Sequence, residues 1–262
     1  MFVYSRLKPK LSILLLLLCS YWGGGIPAGQ ANDKPPLQIT TLPLPPWGYK
    51  TNDNISKGIC YEWANAIAER MGRTSENRIV PMARLFKSLE YGKADFSIVL
   101  RTPFSETISV PVVDVGITFR TVIWPRKGIK INDYNDLSGL TLSLARGLKV
   151  GGRFAEQKNL KIVSSMDYSH SMLMFKVGRV DAVVGTQQSL AYNAVRTGLS
   201  TSRDFDTPFE VDRLQGWVQA SRQFAQREGL EELKKAAQSL INDGTFQKIY
   251  QKYQSTLVTY HR

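Results

Sequence analysis

Short apolar strands alternate with amphipathic helices between residues 37 and 100. Residues 37–42 alternate as a strand and stop at a proline-rich turn, because proline cannot continue a hydrogen-bonded ladder. A helix over 59–71, a strand over 78–80, a helix opened by Pro81 and a buried strand over 96–100 follow. Strands that alternate with helices pair in parallel through helical crossovers, so this part of the chain predicts an α/β fold.

The order of elements changes after residue 116. Residues 116–125 form a long β-rich run with no helical period, and a second β-like run covers 214–220. Between these runs we predict strands at 140–144, 160–163 and 178–184, and helices at 147–157, 169–177 and 187–198. Two α/β lobes are therefore predicted, the first built from both ends of the sequence, with crossings near residues 121–122 and 215–218.

The C-terminal region reads as two amphipathic helices within residues 230–253. Gly244 can end the first of them in a left-handed conformation, and Thr245 can cap the second. This pattern resembles the C-terminal signature of the extracytoplasmic solute-binding proteins of family 3, the receptors of polar amino-acid ABC importers. The predicted helix between Gly58 and Gly72, and the helix–glycine–strand segment at 134–144, resemble further segments of that family in the same order.

The resemblance implies the type II periplasmic binding protein fold, an α/β fold with two lobes. Each lobe would be a mixed, mostly parallel sheet flanked by helices, and two hinge strands would join the lobes. Lobe 1 would comprise residues 32–121 and 218–262, and lobe 2 residues 122–217. The resemblance also implies that a solute is captured between the lobes by hinge closure and passed, through a transient contact, to an ABC permease complex. We expect a monomer with no enzymatic activity, no cofactor and no nucleic-acid partner.

The N-terminus is typical of a signal peptide over residues 1–31, which predicts export to the periplasm. It has three basic residues, an apolar run at 11–19 and small residues ending at Ala31. The run is too short to span a bilayer comfortably, so a retained anchor is the weaker alternative. A lipid anchor at Cys19 is disfavoured because the bulky Leu18 precedes it. Cleavage would leave Cys60 alone, which we interpret as a small buried hydrophobe.

The net charge of +12 does not by itself identify a partner. A basic exported protein could meet nucleic acid, anionic lipid, peptidoglycan or an acidic solute. The Lys and Arg residues are scattered, which favours a solvated surface. The sequence has no His-Glu-x-x-His, no Cys-x-x-Cys and no phosphate loop, so neither a metal hydrolase nor an NTPase is supported.

Candidate ligand-binding residues in the first lobe follow the predicted strands, since open α/β sheets bind ligands at the carboxyl ends of their strands. Trp47 could offer an aromatic face, or it could simply pack its loop. Arg101 could hold a carboxylate, and we expect Arg101→Ala to abolish most binding. Arg84 suits the same role or a plain surface position equally well. Thr102 could cap the next helix and leave backbone N–H groups facing the cleft.

Two positions depart from the residue pattern of the family that this sequence resembles. Ser105 stands where amino-acid binders usually have the arginine for the α-carboxylate, and Thr186, followed by Gln187, stands where they have the aspartate for the α-ammonium. The ligand therefore stays open among an amino-acid-like solute, an amine and a small organic acid.

In the second lobe, a strand-to-helix turn is a candidate anion site. Arg146, Gly147 and Lys149 lie in this turn, where backbone N–H groups and added positive charge suit an anion; a plain turn is the alternative. Ser169 reads first as a helix N-cap.

Two other functions fit the same scaffold. One is a periplasmic enzyme similar to prephenate or arogenate dehydratases, which would need a proton donor in the cleft, and Glu62 is a weak candidate for that donor. The other is a ligand-sensing subunit for a membrane partner.

Overall fold

The strands and helices follow one another in an order close to the predicted one. The computed structural model of the protein describes residues 34–146, 148 and 150–259. The strands are β1 (Leu37–Thr41), β2 (Tyr49–Lys50), β3 (Ser56–Lys57), β4 (Ser75–Ile79), β5 (Phe96–Leu100), β6 (Ser109–Pro125), β7 (Thr141–Ala145), β8 (Lys161–Ser165), β9 (Ala182–Thr186) and β10 (Phe209–Ser221). The helices are α1 (Ile59–Arg70), α2 (Met82–Glu90), α3 (Pro103–Ile108), α4 (Gly152–Ala155), α5 (Tyr168–Lys176), α6 (Gln187–Arg196), α7 (Arg222–Glu228), α8 (Glu231–Asn242) and α9 (Thr245–Thr259), with a short 3₁₀ helix at Tyr134–Leu137.

Eight of these strands form one mixed sheet in the order β4-β1-β5-β10-β6-β9-β7-β8, and β2 and β3 form a small hairpin. β1 pairs in parallel with β4 and β5, and β7 pairs in parallel with β8 and β9. These parallel pairs confirm the crossovers that the alternation predicted. The α/β class is therefore confirmed.

The long strands β6 and β10 make the sheet continuous. They pair antiparallel along most of their length, β10 also pairs with β5, and β6 also pairs with β9. A separate sheet was predicted for each lobe, whereas the structure joins these eight strands in one sheet. The reason is that both connecting strands keep their ladder of hydrogen bonds from one group of parallel strands to the other.

The buried side chains form four clusters around this sheet. The largest packs α1, α8 and α9 against β1, β5, β6 and β10, with Trp63 and Phe246 stacked at a centroid distance of 4.7 Å. A smaller cluster lies between α2 and β5. The remaining two clusters draw their buried side chains from residues 122–205 and from residues 123–184. Phe175 and Phe205 are stacked in the first of these two. Helices with apolar faces on both sides of the sheet thus bury its strands.

Several local predictions are confirmed. Thr102 caps α3 in a capping box with Ser105, and Pro103 opens that helix. Gly244 has a φ of 78° between α8 and α9, as expected of a left-handed helix stop. Cys60 is buried, and burial raises the pKa of its thiol to about 12.

Other local predictions are wrong. Of the helix expected at 147–157, the described residues form only α4, and the φ of 59° at Gly152 is incompatible with a regular right-handed helix at that point. Asp167, not Ser169, caps α5: its carboxylate accepts a hydrogen bond from the His170 backbone N–H at 2.8 Å. Helix α7 was not predicted.

The predicted signal peptide, residues 1–31, lies outside the described residues. Among the helices of the described ranges, none has the length and apolar character to cross a membrane.

Candidate functional site

A cavity of about 650 Å³ lies at the carboxyl ends of the parallel strands. Its walls include the residues at or just after the ends of β1, β5, β7, β8 and β9, together with parts of α6. Parallel strands end at the same edge of a sheet, so the loops after them converge there. The volume is within the range of about 300–1,000 Å³ that small-molecule sites usually have.

Trp47 forms the apolar floor of the cavity on the side of β1. Its side chain is 3% exposed, and its ring lies 4.3 Å from that of Phe119. The Trp47 carbonyl accepts hydrogen bonds from the backbone of α1, which fixes the loop. Gly58 makes this approach possible, because a Cβ at that position would lie 2.5 Å from the Trp47 carbonyl oxygen. The indole Nε1 is buried and has no hydrogen-bond acceptor in the described part of the chain.

The opposite wall is built around Tyr168 at the start of α5. The Thr186 backbone N–H donates to the Tyr168 hydroxyl at 3.1 Å, and both side chains are buried. Burial raises the pKa of the Tyr168 phenol, so the hydroxyl stays neutral. Gly185 lets the ring lie flat against β9, since a Cβ there would lie 2.4 Å from the Tyr168 ring. The Tyr168 ring is therefore held against β9 by packing and by a backbone hydrogen bond.

Tyr49, which lines the cavity, belongs to a group of three tyrosines. Tyr49, from the β2–β3 hairpin, lies 6.0 Å from the Tyr192 ring of α6 and 6.4 Å from the Tyr253 ring of α9. Burial, and then the neighbouring Tyr192, raise the pKa of Tyr49 to about 12, so its phenol is uncharged at neutral pH. These rings join the hairpin to helices from two parts of the chain.

The charged groups on the cavity walls are mostly cations. Lys50, Arg146 and Arg196 are among the lining residues, and Asp167 is the acidic residue among them. Lys50 donates to the Asn54 side chain at 3.0 Å, and Asp167 is engaged as the cap of α5. The cavity is thus a predominantly apolar space with a positive rim.

Three of the residues proposed from the sequence, Trp47, Arg146 and Thr186, line this cavity. Arg101 instead forms an ion pair with Glu106, and its guanidinium lies 4.6 Å from the centre of the Trp217 ring.

The other proposed residues have different positions. Thr102 and Ser105 hold each other in the capping box of α3, and Ser105 is fully buried. Arg84 is exposed in the first turn of α2, and Gln187 begins α6. Gly147 and Lys149 lie outside the described residues. The role of each of these residues in binding stays a prediction.

Sequence reasoning missed several lining residues, including Tyr49, Phe119, Asn193 and Arg196. Arg196 and Asn193 lie inside α6, well beyond the end of β9, where the strand-end rule gives no signal. Their position depends on how α6 packs against the sheet. Glu62 accepts hydrogen bonds from Tyr253 and Lys252 and is not among the cavity residues, so it does not supply the proton donor that a dehydratase would need.

The described residues include no group of three or more His, Cys, Asp or Glu side chains that could hold a metal ion.

Comparison with solved structures identifies the fold. A mutant of ArgBP from T. maritima matches with a TM-score of 0.70 and 20% identity over 84% of this chain and 95% of that one. An ancestral arginine-binding protein bound to arginine matches with a TM-score of 0.67 and 23% identity over 84% and 98%. A histidine kinase sensor domain with similarity to periplasmic binding proteins matches with a TM-score of 0.66 and 17% identity over 83% and 95%.

These neighbours are binding proteins and a sensor domain. No family model matches the chain, and neither does any curated protein sequence. The structural matches confirm the resemblance at the level of fold: the chain has the fold of the type II periplasmic binding proteins.

Proposed function

We propose that this protein is an exported solute-binding protein that holds a small polar solute in the cavity described above. The observation that carries the proposal is the cavity itself, which lies at the carboxyl ends of the strands and is lined by residues from 41–119, 145–196 and 216. A solute there would contact both parts of the chain, so binding and the relative position of those parts would be coupled. No covalent step is required.

The proposed lobes are those expected from the sequence, residues 32–121 with 218–262 and residues 122–217. The strand pairing supports them: β10 meets β5 through residues 216–220, and β6 meets β9 through residues 121–125. Between these stretches only β6 and β10 lie side by side, which suits a hinge. This pairing favours a second crossing near residues 213–215, slightly before the expected position.

A thermal-shift screen of amino acids, polyamines, organic acids and small peptides tests the proposal. A true solute should raise the melting temperature progressively with its concentration, because it binds only the folded state. The absence of any concentration-dependent shift across such a library would contradict the proposal.

Export and delivery to an ABC permease complex are part of the proposal. Both rest on the predicted signal peptide and on the fold. We further propose that the mature chain acts as a monomer in the periplasm. N-terminal sequencing of the protein recovered from the periplasm should begin at Asn32. A gene neighbourhood containing a permease and an ATPase would support delivery.

A sensing role is the second candidate, because one structural neighbour is a histidine kinase sensor domain. In that role the same closure would be passed to a membrane partner rather than to a permease. A neighbouring gene for a membrane kinase, with no permease, would favour this candidate.

A further inference from the structure

Among the charged side chains that line the cavity, cations outnumber carboxylates. Neither the Arg146 nor the Arg196 guanidinium forms an ion pair within the described ranges of the chain. Arginine side chains carry five N–H donors in a planar fork that matches a carboxylate. Two such groups at one cavity therefore favour an anionic partner.

Trp47 contributes an indole ring to the apolar floor. The residue lines the cavity, and its Nε1 is buried with no acceptor among the described residues. An indole N–H can only donate, so Trp47 offers no acceptor to an ammonium group.

Acceptor groups suited to an ammonium are scarce in the same cavity. Asp167 is the acidic residue among those lining it, and one of its carboxylate oxygens already accepts the backbone N–H of His170 at 2.8 Å. This carboxylate also stabilises the N-terminus of α5. The wall is therefore poorly equipped for a free amine.

The rest of the wall is apolar and partly aromatic. Trp47, Phe119 and Tyr168 contribute rings, and Leu42, Leu44 and Leu148 contribute aliphatic surface. Burying apolar surface of a solute against such a wall is favourable. A small, fully hydrated anion would leave this surface unused.

We propose that the solute is an organic carboxylate with an apolar, ring-sized body and no ammonium group. In this arrangement the carboxylate meets Arg146 and Arg196, and the body packs on Trp47 and Phe119. This inference rests on the proposed binding function and specifies its ligand class.

Four probes separate the contribution of the solute's charge from that of its apolar, ring-sized body. They are 3-phenylpropionate, L-phenylalanine, 2-phenylethylamine and succinate. Isothermal titration calorimetry on the purified protein should find the tightest binding for 3-phenylpropionate. Phenylalanine should bind at least about tenfold more weakly, since its ammonium would be desolvated without a matched partner. Phenylethylamine and succinate should be weaker still.

The variants Arg146→Gln and Arg196→Gln test the anion contact. Each should weaken 3-phenylpropionate binding by about tenfold or more, since charge-assisted hydrogen bonds are the strong ones. The matched control is Arg179→Gln, an exposed arginine in the turn before β9, at the end of that strand away from the cavity. Its affinity should stay within about twofold of the parent protein's, because it makes no contact with the site.

Three results would overturn the inference: tighter binding of phenylalanine or phenylethylamine, succinate binding as well as 3-phenylpropionate, or no binding of 3-phenylpropionate. If a different solute from the thermal-shift library binds in any of these cases, the binding function stands and the ligand class is wrong. If no solute binds at all, both proposals fail.

Discussion

At the scale of single residues, two tryptophans of the same core show what distinguishes a site residue from a packing residue. Trp63 is buried in α1, and its Nε1 donates to the Phe246 carbonyl at 2.9 Å. Trp47 is buried to a similar degree, yet its Nε1 has no acceptor among the described residues and its ring lines the cavity. The first indole is satisfied by the fold, whereas the second keeps its N–H unpaired and contributes its ring to the cavity wall.

We therefore expect Trp47→Phe and Trp63→Phe to separate binding from stability. Trp47→Phe should weaken solute binding by about three- to tenfold, because a phenyl ring offers the solute less aromatic surface than the indole. Trp63→Phe should leave affinity unchanged and lower the free energy of unfolding by about 1–3 kcal/mol, because it leaves the buried Phe246 carbonyl without its donor. Titration calorimetry and urea unfolding of both variants measure the two quantities. The opposite pattern would place Trp63 rather than Trp47 in the site.

The predictability of the site can also be judged residue by residue. Trp47 and Arg146 could be proposed because each lies in the turn after a predicted strand, and Thr186 because it stands where the resembled family has an aspartate. Arg101 satisfies the same rule but lies against Glu106 and Trp217 instead. The rule locates a residue at the correct edge of the sheet, but the direction of a long side chain depends on its neighbours, which the sequence pattern does not specify.

At the scale of elements, β6 and β10 are held together by charge as well as by their ladder. Arg120 of β6 lies opposite Arg213 of β10, and the Glu210 carboxylate accepts from Arg120 at 2.5 Å and from Arg213 at 2.8 Å. Hydrogen bonds from Arg213 and then from Arg120 hold the pKa of Glu210 below its ordinary value. One carboxylate thus neutralises two arginines that would otherwise repel across the strands.

This ion pair predicts a specific dependence of stability on pH. A carboxyl group whose pKa is lowered by folding stabilises the protein above its unfolded pKa, and the stabilisation is lost as pH falls through the folded pKa. Glu210→Gln should therefore destabilise the protein at pH 7 by about 1 kcal/mol or less, as expected of a partly exposed pair. The difference from the parent protein should shrink as pH falls from about 5 to about 3.

Urea unfolding at a series of pH values measures this effect. Glu76→Gln is the control, because Glu76 pairs with Arg78 within one exposed strand and joins no separate elements. Its free energy of unfolding should differ little from the parent's at any pH. A Glu210→Gln difference that stays constant down to pH 3 would contradict the assignment.

Most elements could be predicted because their own residues determine them. The apolar spacing and glycine stops of α1 and α8, and the buried run of β5, are local signals. The continuity of the sheet is different. β6 and β10 are separated by more than eighty residues, and their register depends on the complete fold, so no local pattern could show that they join both groups of strands.

At the scale of the whole molecule, the central proposal is that the protein bends at β6 and β10 to enclose a solute. The described residues from Pro35 onward form one unit, and the buried clusters fall on the two sides of the β6–β10 connection. Tyr49, which lines the cavity, lies 6.0 Å from the Tyr192 ring of α6. Closure would therefore be stabilised both by the solute and by these protein contacts.

The distance between the two sides of the cavity, measured in solution, tests this claim most directly. Fluorescent labels on Ala83→Cys in α2 and Ser164→Cys in β8, both exposed positions, would report it by resonance energy transfer. Cys60 is buried, and its pKa is raised to about 12, so it should not compete for the label. A saturating solute from the thermal-shift screen should shorten the distance. A solute that raises the melting temperature but leaves the distance unchanged would contradict hinge closure.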